Sequence, residues 1–236
     1  MGTRERKQRE FEARETLFME TARRLIREEG LLTLHMARLA RECDYATGTL
    51  YQHFSSKEDL LVALATRRIG EHSDEFCRAA AWKASTRERM FALVVVDHDF
   101  GQRHPGYMRL LQYVFTEVVW ASASDQRRVA LQKALEQPAG AVRGIVEQAL
   151  ADGDLKAHGF NAQALMLGPW GLCAGIQSMQ QTRGMLDHLG IEAADDLLHF
   201  HSQALLNGLG WLPLIDLEDR ATLTAWVDRV RREALV

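Results

Sequence analysis

Between Leu34 and Phe54 the chain carries Thr47, Gly48, Thr49, Tyr51, Gln52 and His53 within seven residues, with Lys57 just beyond. Their hydroxyl, amide, imidazole and ammonium groups suit hydrogen bonding to the base edges and phosphates of a duplex. A helix that enters a major groove needs small and polar side chains at its N-terminal end, where base edges lie, and an opposite face that packs on a support helix. Leu50 and Phe54, four residues apart, fit the inward face, while Thr47, Gly48, Tyr51 and Gln52 fall outward. Gly48 lets the backbone come near a partner. Thr49, Tyr51 and His53 offer hydroxyls and a ring N–H to phosphate oxygens, and Lys57 adds a cation at the same edge.

Such a helix needs a scaffold, and the apolar periodicity supplies one. A helix is expected over 9–29, with Phe11, Phe18, Ala22, Leu25 and Ile26 on one stripe and Gly30 ending it. A short support helix at 34–41 offers Met36 and Leu39, and Ala40 allows close approach. A turn at 42–46 leads into the short helix at 47–53. Ser55 and Ser56 then precede Lys57-Glu58-Asp59, a helix start with a serine cap and acids in the first turn, running to about Ala80. Further helices are expected at 86–103, 107–120, 125–152 with a break at Pro138, and 161–181 with a kink or break at Gly168-Pro169. The last two are expected at 195–207 and 216–234, the latter with Leu223, Trp226, Val227 and Val230 on one face.

With these residues in view, 10–71 resembles the DNA-binding domain of TetR-type regulators. The segment Thr47-Gly48-Thr49-Leu50-Tyr51-Gln52-His53-Phe54-Ser55-Ser56-Lys57-Glu58-Asp59-Leu60 is similar to that family's recognition helix and the start of its next helix. The resemblance implies an all-α fold: an N-terminal three-helix helix-turn-helix domain at 10–71, then a helical effector-binding and dimerisation domain at 72–236. It implies a homodimer on a double-stranded DNA operator, repressing by occlusion. It further implies base-edge contacts for Thr47, Gly48 and Tyr51, backbone contacts for Thr49, Gln52, His53 and Lys57, and a contact for His35. Arg38, beside the position where the family often has arginine, joins this set. The chain departs from the family at Leu34-His35, where a threonine pair is usual, and at Asp44, where the turn usually has glycine. Asp44 is expected to take the left-handed conformation. Ala46 cannot cap, which leaves Thr47 as an alternative cap.

Large apolar side chains are dense between 86 and 210, expected to be the sensor and dimer region. An apolar pocket between helices would suit a hydrophobic or amphipathic small molecule, and Phe100, Tyr107, Leu111, Phe115 and Trp170 are the candidate lining. The alternative for each is ordinary core packing. By resemblance, the helices at 161–181 and 195–208 hold the dimer face, where Gly168, Gly171, Ala174, Gly175 and Ser178 form a stripe of small residues. Asp97-His98-Asp99 and His199-Phe200-His201 are not expected to hold a metal, because neighbouring helix residues do not face one way.

Composition sets the outer limits. The 236 residues are 47% hydrophobic and 26% charged, a globular balance with room for two domains. No apolar run is long enough to span a bilayer, and the basic N-terminus lacks the apolar stretch of a signal peptide. Cys43, Cys77 and Cys173 read as free thiols of a reducing cytoplasm. The net charge is -3, yet residues 1–57 are net positive and the remainder net negative. Arg4, Arg6, Lys7 and Arg9 make either a basic arm suited to phosphates or a solvated, frayed terminus. Three functions are weighed: a repressor released by its effector, a DNA-binding architectural or occlusion factor without an effector, and an enzyme. The enzyme would need paired Glu-x-x-His motifs, a phosphate loop or a nucleophile elbow, and none is found. No cofactor is called for.

Overall fold

Side-chain capping marks where several of the helices begin. The computed structural model describes residues 2–182 and 184–235. Helix α1 spans Thr3–Glu29, starting six residues earlier than its apolar stripe suggests. The Gly2 N–H donates to Glu5 at 3.1 Å, and Gln8–Glu12 and Arg6–Glu10 pairs at i, i+4 support the added turns. Gly30, at φ +100°, ends the helix and returns its N–H to the Ile26 carbonyl. Helix α2 (Met36–Glu42) and helix α3 (Thr47–Tyr51) follow, joined by a turn in which Asp44 takes φ +59°, the left-handed region. Ala46 is the N-cap of α3 and makes no side-chain bond; Thr47 is already helical. Helix α4 (Lys57–Ala80) starts where Ser56 Oγ accepts from the Asp59 N–H at 3.0 Å.

Helix α5 (Thr86–Arg103) opens on a reciprocal Ser85–Glu88 capping box. The single helix expected at 107–120 is two, α6 (Pro105–Val114) and α7 (Glu117–Ser122). Thr116 separates them: its hydroxyl donates to the Tyr113 carbonyl at 2.7 Å, offering the backbone a local alternative to continuing. Helix α8 (Asp125–Asp152) is unbroken at Pro138, and α9 (Ala162–Gln181), capped by Asn161, is unbroken at Pro169. Proline forfeits one hydrogen bond but holds a helical φ, and in α9 packing outweighs that loss. In α9 the buried stripe Leu165, Pro169, Cys173 and Gln177 runs straight through the proline. Helix α10 (Met185–His188), not anticipated from periodicity, precedes α11 (Ala194–Gly208) and α12 (Arg220–Glu233). The described residues include no strand, and no helix among them is long and apolar enough to cross a membrane.

The chain packs as two compact units. The first is Met1–Arg68 with Arg109–Ala134, so besides most of the expected N-terminal domain it takes in the larger part of α6, α7 and the start of α8. Here α2 packs on both α1 and α3, and Phe18, Leu39, Leu50, Phe54 and Leu60 are fully buried. The second is Ile69–Met108 with Leu135–Val236. Its core includes Phe91, Val95, Ile145, Ala149, Leu206 and Trp211. Helix α12 packs on α5 and α11, with Val227 and Val230 in that core and Arg231 paired twice with Asp99 at 2.8 Å. Arg87 is fully buried; its guanidinium donates to the carbonyls of Trp211 and Gln203 and to Gln203 Oε1. Burial pulls Arg87 down to about 10, still a cation at neutral pH.

Candidate nucleic-acid interface

Helix α3 is too short to stand on its own propensity and is held by one face. Leu50, on that face, and Phe54, just past its end, have no exposed surface. The opposite face meets solvent: Gly48, Tyr51 and Gln52 are exposed, with Thr47 and Thr49 half-buried at the flanks. A Cβ added at Gly48 would meet no atom within 4 Å. The fold therefore does not require glycine there, and any need for one comes from a partner pressed against the helix.

The other expected contact residues divide. His35 is exposed at the N-cap of α2. Arg38 forms a two-pronged ion pair with Glu29 at the end of α1, so a phosphate would compete with a carboxylate for it. Lys57 donates to the Leu32 carbonyl at 3.2 Å. His53 departs from expectation. Its side chain has no exposed surface; the ring stacks on Phe11 with centroids 3.8 Å apart and meets Phe18 edge-on at 5.3 Å. Burial holds its pKa below the ordinary histidine value, against the upward pull of Glu15. The ring N–H is therefore turned into the domain, and His53 offers its carbonyl, which accepts from Arg127 at 3.0 Å.

Arg127 and Asp59 are the positions that the periodicity did not flag. The Arg127 guanidinium also reaches Glu15 at 3.1 Å and lies 4.9 Å from the Phe54 ring centroid. Asp59 is buried and accepts from the N–H groups of Ser55 at 3.1 Å and Ser124 at 2.7 Å. The Ser55 hydroxyl, which donates to the same carboxylate, and these N–H groups hold Asp59 below the usual range despite burial. Both join α8 or its N-terminal approach to the helix-turn-helix, at separations no local pattern records.

The five candidate lining residues are not all in one unit. Phe100 and Tyr107 are buried together in the second, rings perpendicular with centroids 5.3 Å apart. The His72 ring lies 4.2 Å from Phe100, and Asp97 accepts from Gln177 Nε2 at 2.7 Å. Leu111 is half-buried and Phe115 exposed, both in the first unit. Trp170 is 62% exposed on α9, beside the exposed Leu167, Gly171 and Ala174. Asp97, His98 and Asp99 turn to three partners, Gln177, Asp195 and Arg231. His199 is buried against the rings of Phe91 and His98, and burial, aided by His98, lowers it to about 4.

Residues 18–64 match the family described as bacterial regulatory proteins, tetR family. The chain is 21% identical to the "Fatty acid metabolism regulator protein" of Bacillus subtilis (strain 168), across 58% of this chain and 69% of that one. It is 30% identical to "HTH-type transcriptional regulator BetI" of Rhizobium meliloti (strain 1021), across 39% of this chain and 45% of the relative. Among solved structures, the transcriptional regulator FadR from Bacillus subtilis in complex with stearoyl-CoA superposes with a TM-score of 0.59 at 16% identity, covering 85% of this chain and 99% of that one.

Proposed function

We propose that this chain, whose residues 18–64 match the tetR family of bacterial regulatory proteins, is a member of that family and acts as a homodimeric, cytoplasmic repressor released from a palindromic operator by a small hydrophobic or amphipathic effector. Residues 10–71 are the DNA-binding domain in this reading, and 72–236 the effector-binding and dimerisation domain. One observation carries it: α3 keeps a polar outward face around an uncrowded Gly48 while Leu50 and Phe54 brace it from behind.

Thr47, Gly48 and Tyr51 then read base edges; Thr49, Gln52, Lys57, His35 and Arg38 meet the backbone. Two copies place two such helices on half-sites about one duplex turn apart. On α9 the small residues Gly168, Gly171, Ala174, Gly175 and Ser178 are all exposed, which favours that face as the meeting place. For the effector, the buried Phe100–Tyr107 pair beside Asp97 and Gln177, all in the second unit, supports an apolar site with polar guides. An acyl-bearing effector is a reasonable first probe, because a structural neighbour is a complex with stearoyl-CoA. No catalytic activity is proposed.

Duplexes selected by the full-length protein from a random pool test the reading. A dimer-sized palindrome bound at nanomolar affinity, steeply weakened by salt and weakened by stearoyl-CoA, is the expected result. Selection without a common sequence would overturn it. Sequence-specific binding that no apolar ligand alters, with no thermal shift, favours an occlusion factor that needs no effector.

A further inference from the structure

The start of α1 has two unlike faces. On one, Arg6 pairs with Glu10 at 3.5 Å and Arg9 Nε donates to the Glu5 carbonyl at 3.5 Å. On the other, Arg4, Lys7, Phe11 and Arg14 recur at i, i+3, i+7 and i+10, a single helical stripe. Three neighbours fix where that stripe points. Phe11 stacks on His53, and Glu15 and Phe18, on the same stripe, meet the same ring at 3.6 Å and 5.3 Å. His53 lies two residues past the end of α3. The stripe thus faces the C-terminal end of the helix assigned to base reading.

Lys7 and Arg4 carry this stripe past Phe11 by about 6 Å and about 10 Å at the rise of an α-helix. Both are exposed, and neither has an ion-pair partner among the described residues. They border a shallow depression with Gln8, Phe11 and Arg14, and the acid on its rim, Glu10, is taken by Arg6. Two uncompensated cations on a rigid helical extension beside α3 complement the regular phosphate charge of a duplex, about one per 1.7 Å of axis. We propose that this stripe is a second DNA-binding surface, on which Arg4 and Lys7 bind phosphates flanking the half-site read by α3. Phe11, locked on His53, sets the direction of the extension. The inference rests on the reading of α3 as the base-reading helix.

Full-length protein and its selected duplex give the test, with two double variants compared at several salt concentrations. Arg4→Gln with Lys7→Gln is expected to reduce the slope of log K against log salt by about 0.9 for each phosphate no longer neutralised, while discrimination between selected and scrambled duplex holds. Trimming the duplex outside the half-sites should weaken the wild type and leave that variant nearly unchanged. Arg6→Gln with Arg9→Gln removes as much charge from the opposite face and should keep the wild-type slope. Equal slopes for the wild type and the first variant, or equally reduced slopes in both variants, would overturn the proposal while leaving the reading of α3 intact. A wild type that cannot tell the selected duplex from the scrambled one removes that reading, and this inference with it.

Discussion

The guanidinium of Arg127 donates to the main-chain carbonyl of His53 at 3.0 Å. That carbonyl lies just beyond α3, where backbone oxygens lack intrahelical partners and carry partial negative charge. The same guanidinium is bonded to Glu15 of α1 and packed over Phe54, so one side chain fixes the exit of α3 against its scaffold. Arg127→Ala leaves a carbonyl and a carboxylate without their donor. A charge-assisted bond contributes about 1.5–3 kcal/mol, so operator affinity measured by anisotropy should drop roughly tenfold or more. Binding to non-specific duplex should change far less. Arg127→Lys keeps the charge without the planar fork and should recover only part. Full operator affinity in Arg127→Ala would show that α3 is positioned without it.

Tyr51 is 49% exposed on the outward face of α3. Its removal costs the fold little, since surface substitutions usually stay within about 0.5 kcal/mol. Removing a side chain that reads a base costs about 1–3 kcal/mol of discrimination. Tyr51→Ala should therefore melt like the wild type but separate the selected duplex from single-base variants far less well. Unaltered base preference in this variant places the reading elsewhere.

The outward and inward faces of α3 were legible because helical period alone decides them. The start of α4 was equally legible, since serine caps and first-turn acids are local signals. Pro169 misled for a physical reason: the buried stripe on both sides keeps α9 continuous, and burial is not written locally; no residue from 132 to 144 is buried, so the same reason does not explain Pro138 inside α8. Thr116 broke a helix through a hydroxyl bond that apolar counting ignores. His53 looked like a surface donor because it follows a polar helix. Phe11, Glu15 and Arg127 determine its burial, and they come from α1 and α8, far along the chain.

His199 sets an acid limit on the second unit. Its imidazole titrates at about 4 in the fold, against about 6.5 in an unfolded chain. Burial is the main cause; His98 and Arg231 push the same way, and Asp99 and Asp195 oppose them. Below pH 6.5 the unfolded chain gains a proton that the fold refuses. The stabilisation is whole above that pH and is lost as pH falls toward 4, by at most about 1.4 kcal/mol per unit. Urea midpoints at pH 7.5 and pH 5 should differ, and His199→Gln should narrow the gap. A variant as acid-sensitive as the wild type would assign the effect to other groups.

Two copies must meet if two recognition helices are to span a palindrome, and α9 offers the surface. Leu167 and Trp170 stand 59% and 62% exposed there, apolar area that a lone protomer leaves in water at a cost of about 25 cal/mol per Å². Gly171, Ala174 and Gly175 sit between them and Ser178, all exposed. A Cβ at Gly171 or Gly175 would meet no atom of its own chain within 4 Å, so these glycines serve no packing inside the protomer. They would let a second helix come close. Gly175→Glu separates the two roles: glutamate favours helix more than glycine does by roughly half a kcal/mol, so the protomer should melt no lower, while a partner would have to bury an unpaired carboxylate. Sedimentation should find a monomer at concentrations where the wild type is a dimer, and operator affinity should fall by about two orders of magnitude, the equivalent of ~3 kcal/mol. A Gly175→Glu protein that still sediments as a dimer and holds its operator would move the meeting face off α9.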